Sequence, residues 1–258
     1  MNHNEDLVFE LFKTKIGDLG LSIASIDEDG LINIDTGEHT LKISLDNVRK
    51  SYEQDGDLDH LDNLIESIHS YLMEIPMPSW EECKLNIYLS LFPSDYDFGD
   101  FINTSTTPAF NKHYLYYDGN EFIWIAKKQL EEWGISEGAF KSQVDENMRL
   151  LLDKSNLETS VLKSGEQLGH FETEMPELKA SLLFADNLKD KVSSTFGWPV
   201  YCVLPVRDFC YIFSSKDKES LTDKLGTVVL KEFDESGYAI TKEIVEISDE
   251  GIKAIGSY

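Results

Sequence analysis

The sequence predicts an α+β fold: a small N-terminal α-β-β-β-α unit, then a larger mixed domain whose mainly antiparallel sheet is flanked by helices. Three observations carry that reading. Apolar residues recur at helical spacing in some stretches and at every second position in others, which separates amphipathic helices from half-buried strands. In the N-terminal part the order is helix, three strands, helices, as an α+β unit requires. Turn signals such as Asp29-Gly30 and Asp118-Gly119-Asn120 stand between neighbouring strand-like runs and mark hairpins.

The elements follow in order. Residues 4–17 form a helix with Leu7, Leu11 and Phe12 on one face, ended by Gly17 and Gly20. Residues 23–27, 31–35 and 39–45 form a meander, with Leu41, Ile43 and Leu45 alternating against Lys42 and Ser44. Asp46 is placed to cap a helix through Val48 and Tyr52. Residues 57–73 then carry Leu58, Leu61, Ile65, Ile68 and Leu72 on one helical stripe. The N-terminal unit spans 1–75, and 76–84, with Pro76 and Pro78, reads as a connector to a C-terminal domain at 85–258.

In the larger domain Leu85, Ile87, Leu89 and Leu91 alternate as a strand, and 93–111 is a long loop, functional or mobile by its length. Residues 114–117 and 122–126 make a hairpin, 127–133 a short helix, and Ser136 caps a helix bearing Phe140, Val144, Met148 and Leu151. Residues 157–167 are polar and give no clear pattern. Pro176 opens a helix whose stripe runs from Leu178 to Phe196. Two apolar runs then flank Pro205-Val206-Arg207-Asp208, which makes 198–214 the central hairpin of the C-terminal sheet. Leu221, Leu225, Val229 and Phe233 mark a last helix, and 240–247 the last strand.

The net charge of −25 sets the partner class. Such a chain is repelled by nucleic-acid phosphates and anionic lipid headgroups, so neither nucleic acid nor a membrane is an expected partner, whereas a basic protein is. The acidity also serves solubility. It is concentrated: residues 1–80 hold 17 Asp and Glu against 5 Lys and Arg, a net −12. There Asp55, Asp57, Asp59, Asp62 and Glu66 form a face that would steer a basic partner or simply stay solvated. No signal peptide and no run near the ~20 apolar residues of a spanning helix is present, so a cytoplasmic location is expected. Oligomeric state is left open.

The catalytic inventory is thin. Cys83, Cys202 and Cys210 are an odd count without metal spacing, and the last two sit inside apolar runs. The six histidines include no His-x-x-x-His pair, so neither a metal nor another cofactor is predicted. Asp95, Asp97 and Asp100 would suit Ca²⁺ in type but lack an EF-hand framework. No Gly-x-Ser-x-Gly elbow and no nucleotide-binding glycine motif occurs. Arg207 and Asp208 remain the ligand-binding candidates: an Arg fork and a carboxylate at a sheet end suit an anion or polar ligand. The plainer reading is a wet hairpin tip, for which Arg207→Ala changes stability by no more than about 0.5 kcal/mol.

Several segments together resemble the YtpQ-like family of bacterial cytoplasmic proteins, a family whose function is not established. They are Ile43-Ser44-Leu45 before an acidic helix, Tyr88-Leu89-Ser90-Leu91-Phe92-Pro93, the Tyr117–Ile125 hairpin and its following helix with Asn147 and Arg149, and Pro205-Val206-Arg207-Asp208. The resemblance spans most of the chain, with extra residues around 95–108. It implies an α+β fold and a cytoplasmic home and brings no catalytic residues.

These observations lead to a non-enzymatic protein-interaction module that binds through its acidic surface. A specific form is an immunity-type protein masking a basic toxin. The other class is an enzyme whose site would gather around Arg207, Asp208 and the 93–111 loop.

Overall fold

The structure, a computed structural model, describes residues 6–27, 30–36, 40–72, 77–96, 99–119 and 122–258; the side chains of 54–55 and 70–72 are outside that description. It is an α+β protein that divides into two units, Met1–Met77 with Glu235–Gly237, and Pro78–Asp234 with Tyr238–Tyr258.

In the first unit Asp6 accepts a hydrogen bond from the Phe9 amide and starts α1 (Leu7–Asp18). An antiparallel meander follows, β1 (Ser22–Ile26), β2 (Ile32–Asp35) and β3 (Thr40–Ile43), with β2 central. Two helices close the unit, α2 (Asp46–Asp55) and α3 (Asp59–Leu72). Asp46 lies inside the first turn of α2 rather than capping it: Leu45 is the N-cap, and the Ser44 hydroxyl accepts from the Asp46 amide. Phe12, Ile16, Ile32, Ile34, Leu45 and Leu61 make the core. Of the face expected on the first helix Phe12 is buried and Leu11 partly so, but Leu7 is 47% exposed, because the buried side of α1 runs through Val8, Phe12 and Ile16.

The second unit opens with α4 (Trp80–Cys83), whose Ser79–Glu82 capping box satisfies the first amides. This helix occupies four of the nine residues of the expected connector, and Trp80 packs at 5.5 Å from Trp133. A four-stranded antiparallel sheet comes next. In it β6 (Phe110–Tyr117) pairs along one side with β4 (Ile87–Pro93), and along the other with β5 (Asn103–Ser105) and β7 (Phe122–Trp124). Of the 93–111 loop, the described part is tied down. It contains β5, its Ser94 hydroxyl donates to the Pro108 carbonyl at 2.6 Å, and Thr107 Oγ1 donates to the buried Glu243 carboxylate at 2.6 Å. Then α5 (Lys127–Trp133) ends at left-handed Gly134, and α6 (Glu137–Lys154) is capped by Ser136. The Asn147 amide, buried on α6, donates to the Lys84 and Ile87 carbonyls at 2.8 Å each and fixes the helix against the start of β4.

A separate six-stranded sheet has the order β13-β12-β10-β11-β9-β8, all antiparallel. Its strands are β8 (Asn156–Val161), β9 (Gln167–Glu172), β10 (Val200–Val206), β11 (Phe209–Ser214), β12 (Glu243–Ser248) and β13 (Gly251–Ser257). The predicted hairpin is thus its centre. Between β11 and β12, α8 (Lys218–Glu235) lays Leu221, Leu225 and Val229 against Tyr201, Val203, Phe213 and Ile244.

Three sequence expectations need correction. The polar stretch 157–167 contributes β8 and the turn into β9. The stripe from Leu178 to Phe196 is not one helix: short 3₁₀ turns end at Phe184, Ala185 is extended (φ −74°, ψ 141°), and α7 covers only Leu188–Phe196. Asn187 causes part of that break by donating its side-chain amide to the Arg149 carbonyl and the Asp153 carboxylate on α6. Finally β13 follows what reads as the last strand. Six of its seven residues are exposed and only Ile252 is partly buried, so no alternation announces it.

Candidate functional site

Arg207 and Asp208 form the two-residue turn between β10 and β11, bracketed by the Val206–Phe209 pair. Pro205 sets the geometry just before it. It has no amide to donate to the ladder, and the pairing register slips by one residue between Val203 and Val206. On the other side β12 has not yet begun. Instead the Ile240 amide donates to the Pro205 carbonyl at 2.7 Å, and Ala239 bridges Val206. That pairing puts Tyr238 alongside Arg207. The Arg207 carbonyl accepts from the Ala180 amide at 2.9 Å, so the backbone of the turn is held from both flanks.

The guanidinium lies over two aromatic rings, 4.6 Å from the centroid of Phe92 at the end of β4 and 4.3 Å from that of Tyr238. Arg207 is half-buried, not the wet tip that its position suggests, while Asp208 is exposed. No ion pair forms between the two, and among the described residues no carboxylate lies within ion-pair reach of Arg207. Burial lowers its pKa to about 10, with Tyr238, Tyr96 and Asp208 working in the opposite direction, so it stays charged at neutral pH.

Phe92 belongs to a larger aromatic face, with the Trp124 ring 4.8 Å away, His113 at 5.4 Å and Tyr96 at 6.1 Å. Register places Ser90, Phe92, His113 and Trp124 on one side of the β4–β6–β7 sheet. His113 and Ser90 are a directly paired couple there, both buried. Desolvation lowers the His113 pKa to about 4, so the ring is neutral. Among the described residues the Ser90 hydroxyl has no hydrogen-bond partner, so it makes no bond to the His113 ring.

The cysteines are inert. All three are free and buried, and burial pushes Cys83 up to about 11, Cys210 up to about 12 and Cys202 well above its ordinary value. Among the described residues no group of His, Cys, Asp and Glu is arranged to hold a metal ion. Asp97 lies outside the described residues, and the Asp100 carbonyl is taken by the Lys127 amide. Glu166 is held well below the usual carboxylate range by Lys224, Ser164 and Ser220, which pins the β8–β9 hairpin to α8.

No known family profile, no curated protein and no solved structure matches the chain. The chemistry of the candidate residues therefore stands on their own geometry.

The acidic face of the first unit has a definite layout. On α3, Asp59, Asp62 and Glu66 follow helical spacing and are exposed, opposite buried Leu61 and Ile68. Asp62 is paired with Lys15 of α1 at 2.7 Å. Asp57 accepts from the Asp59 amide at 3.0 Å, which lowers its pKa, and its charge in turn raises that of Asp59. The side chain of Asp55 lies outside the described residues.

The sequence reading missed Phe92 and Tyr238, the two rings that define the environment of Arg207. Phe92 carries a weak signal, since it shares parity with Tyr88 and Ser90 on an alternating strand. Tyr238 carries none, because its place depends on a bridge to a residue 33 positions earlier.

Proposed function

We propose that this protein is a cytoplasmic, non-enzymatic interaction module that binds a basic partner protein through the acidic surface of its N-terminal unit. The observation that supports the reading most is the stripe of exposed carboxylates on α3, extended by Asp57 and set on a helix whose other side is core. It lies in the segment that carries −12 of the chain's −25. Like charges so placed raise the encounter rate of a cationic surface over about a Debye length, ~8 Å at physiological ionic strength. Kinship with the YtpQ-like family belongs to this proposal as well, and a basic toxin is one form the partner can take.

Affinity capture with the purified protein tests the proposal, run beside a variant carrying Asp57→Asn, Asp59→Asn and Glu66→Gln. A basic partner should be retained by the wild type at low salt, released as salt rises, and lost from the variant. Equal retention by both proteins at high salt would overturn the acidic-surface reading.

A further inference from the structure

The chain has only three arginines. Arg49 is gripped by Asp6 at 2.7 Å and Asp46 at 3.3 Å. Arg149 is gripped by Glu146 at 2.6 Å and Asp153 at 3.7 Å. Among the described residues Arg207 has no such partner, in a protein with 48 acidic residues. Nor does any described residue accept a hydrogen bond from its side chain. The guanidinium is in cation–π contact with Phe92 and Tyr238, which take up ring faces and not its N–H donors, so the donors are left for bonding.

We propose that the Phe92–Arg207–Tyr238 cradle is a binding site for a small organic carboxylate with an aromatic or similarly apolar body. Three features select that class. The planar fork of a fixed guanidinium matches a carboxylate through two parallel hydrogen bonds, which a lysine cannot reproduce. The rim is aromatic: Tyr96 and Tyr238 are 54% and 43% exposed, so a flat apolar body has surface to cover. The strongly negative field of the chain opposes polyanions far more than a singly charged acid. The turn is held by the Ala180, Ile240 and Ala239 backbone contacts, so little ordering is needed on binding.

The test titrates phenylacetate, its uncharged analogue phenylacetamide and inorganic phosphate into the full chain, followed by NMR shifts of the arginine Nε–H and by calorimetry. A C-terminally free and a C-terminally amidated dipeptide ending in Phe form a further arm, which separates a free acid from a peptide terminus as the source of the same carboxylate. Phenylacetate should bind saturably and shift the Arg207 Nε–H. Arg207→Lys and phenylacetamide should each weaken binding by about tenfold or more, the fold-change of one charge-assisted bidentate contact. Three results would each overturn the proposal. They are no saturable shift below about 10 mM, equal binding of the acid and the amide, or tighter binding of phosphate than of phenylacetate. The acid–amide comparison uses the wild type alone, so it holds even if a substitution disturbs folding.

Discussion

Truncating Arg207 to Ala should destabilise the second unit by about 1–3 kcal/mol, several times the surface value that its place in a hairpin turn suggests. Each of two cation–π contacts contributes about 0.5–1 kcal/mol at an exposed site and about 2 when desolvated, and Arg207 is half-buried over rings at 4.6 and 4.3 Å. Its aliphatic stem, on a half-buried residue, adds part of the ~0.8 kcal/mol per buried methylene. Relief of the desolvated charge offsets some of this. Arg207→Met keeps most of the stem and removes the charge, so it should cost less than Arg207→Ala. Tryptophan fluorescence during denaturation is the right readout, because Trp80, Trp124, Trp133 and Trp198 all lie in the second unit and the first unit is silent. A double-mutant cycle between Arg207→Ala and Tyr238→Leu isolates one of the two contacts, with an expected coupling of about 0.5–2 kcal/mol. A loss under about 0.5 kcal/mol for Arg207→Ala would show that the contacts contribute nothing net and refute the reasoning.

Two further perturbations address the interior of the same unit. At Gly169 on β9 an added Cβ would stand 2.6 and 2.7 Å from ring carbons of Phe196 and 3.3 Å from Leu157 Cδ1. Gly169→Ala should therefore cost about 1–3 kcal/mol from overpacking, less the ~0.4–1 kcal/mol gained by stiffening the unfolded chain. Adding Phe196→Leu should recover part of that loss, and a Gly169→Ala protein as stable as the wild type would show that the ring moves freely. The second perturbation is acid. The folded pKa of His113, about 4, lies below its ordinary 6.5, so the folded state binds fewer protons between those values. The associated stability, on the order of 3 kcal/mol, is complete above pH 6.5 and falls away as the pH drops through 4. Denaturation midpoints at pH 7.5, 5.5 and 4.5 should decline in the wild type and decline less in His113→Leu; parallel declines would place the acid sensitivity elsewhere.

How much of this was legible in the sequence depends on the range of the interactions. The first unit was readable almost element by element, because Phe12, Ile34 and Leu61 answer to periodicities that span only a few residues. The hairpin at Arg207-Asp208 was readable for the same reason, its two apolar runs being adjacent. The polar β8 and the exposed β13 were not, since both are strands by virtue of the neighbour they pair with and not of their own pattern. Charge follows the same division. The Glu146–Arg149–Asp153 spacing announces an ion pair on one helical face, and Asp46–Arg49 does likewise. That local rule does not reach Arg207-Asp208, which are adjacent, and the two side chains form no ion pair. The guanidinium is instead taken up by rings 115 residues earlier and 31 residues later. An unclaimed arginine is thus invisible to spacing rules, which find partners that are near in sequence and cannot register a missing one. In a chain so rich in carboxylates, a charge that no described carboxylate claims is what distinguishes the turn from an ordinary wet hairpin tip.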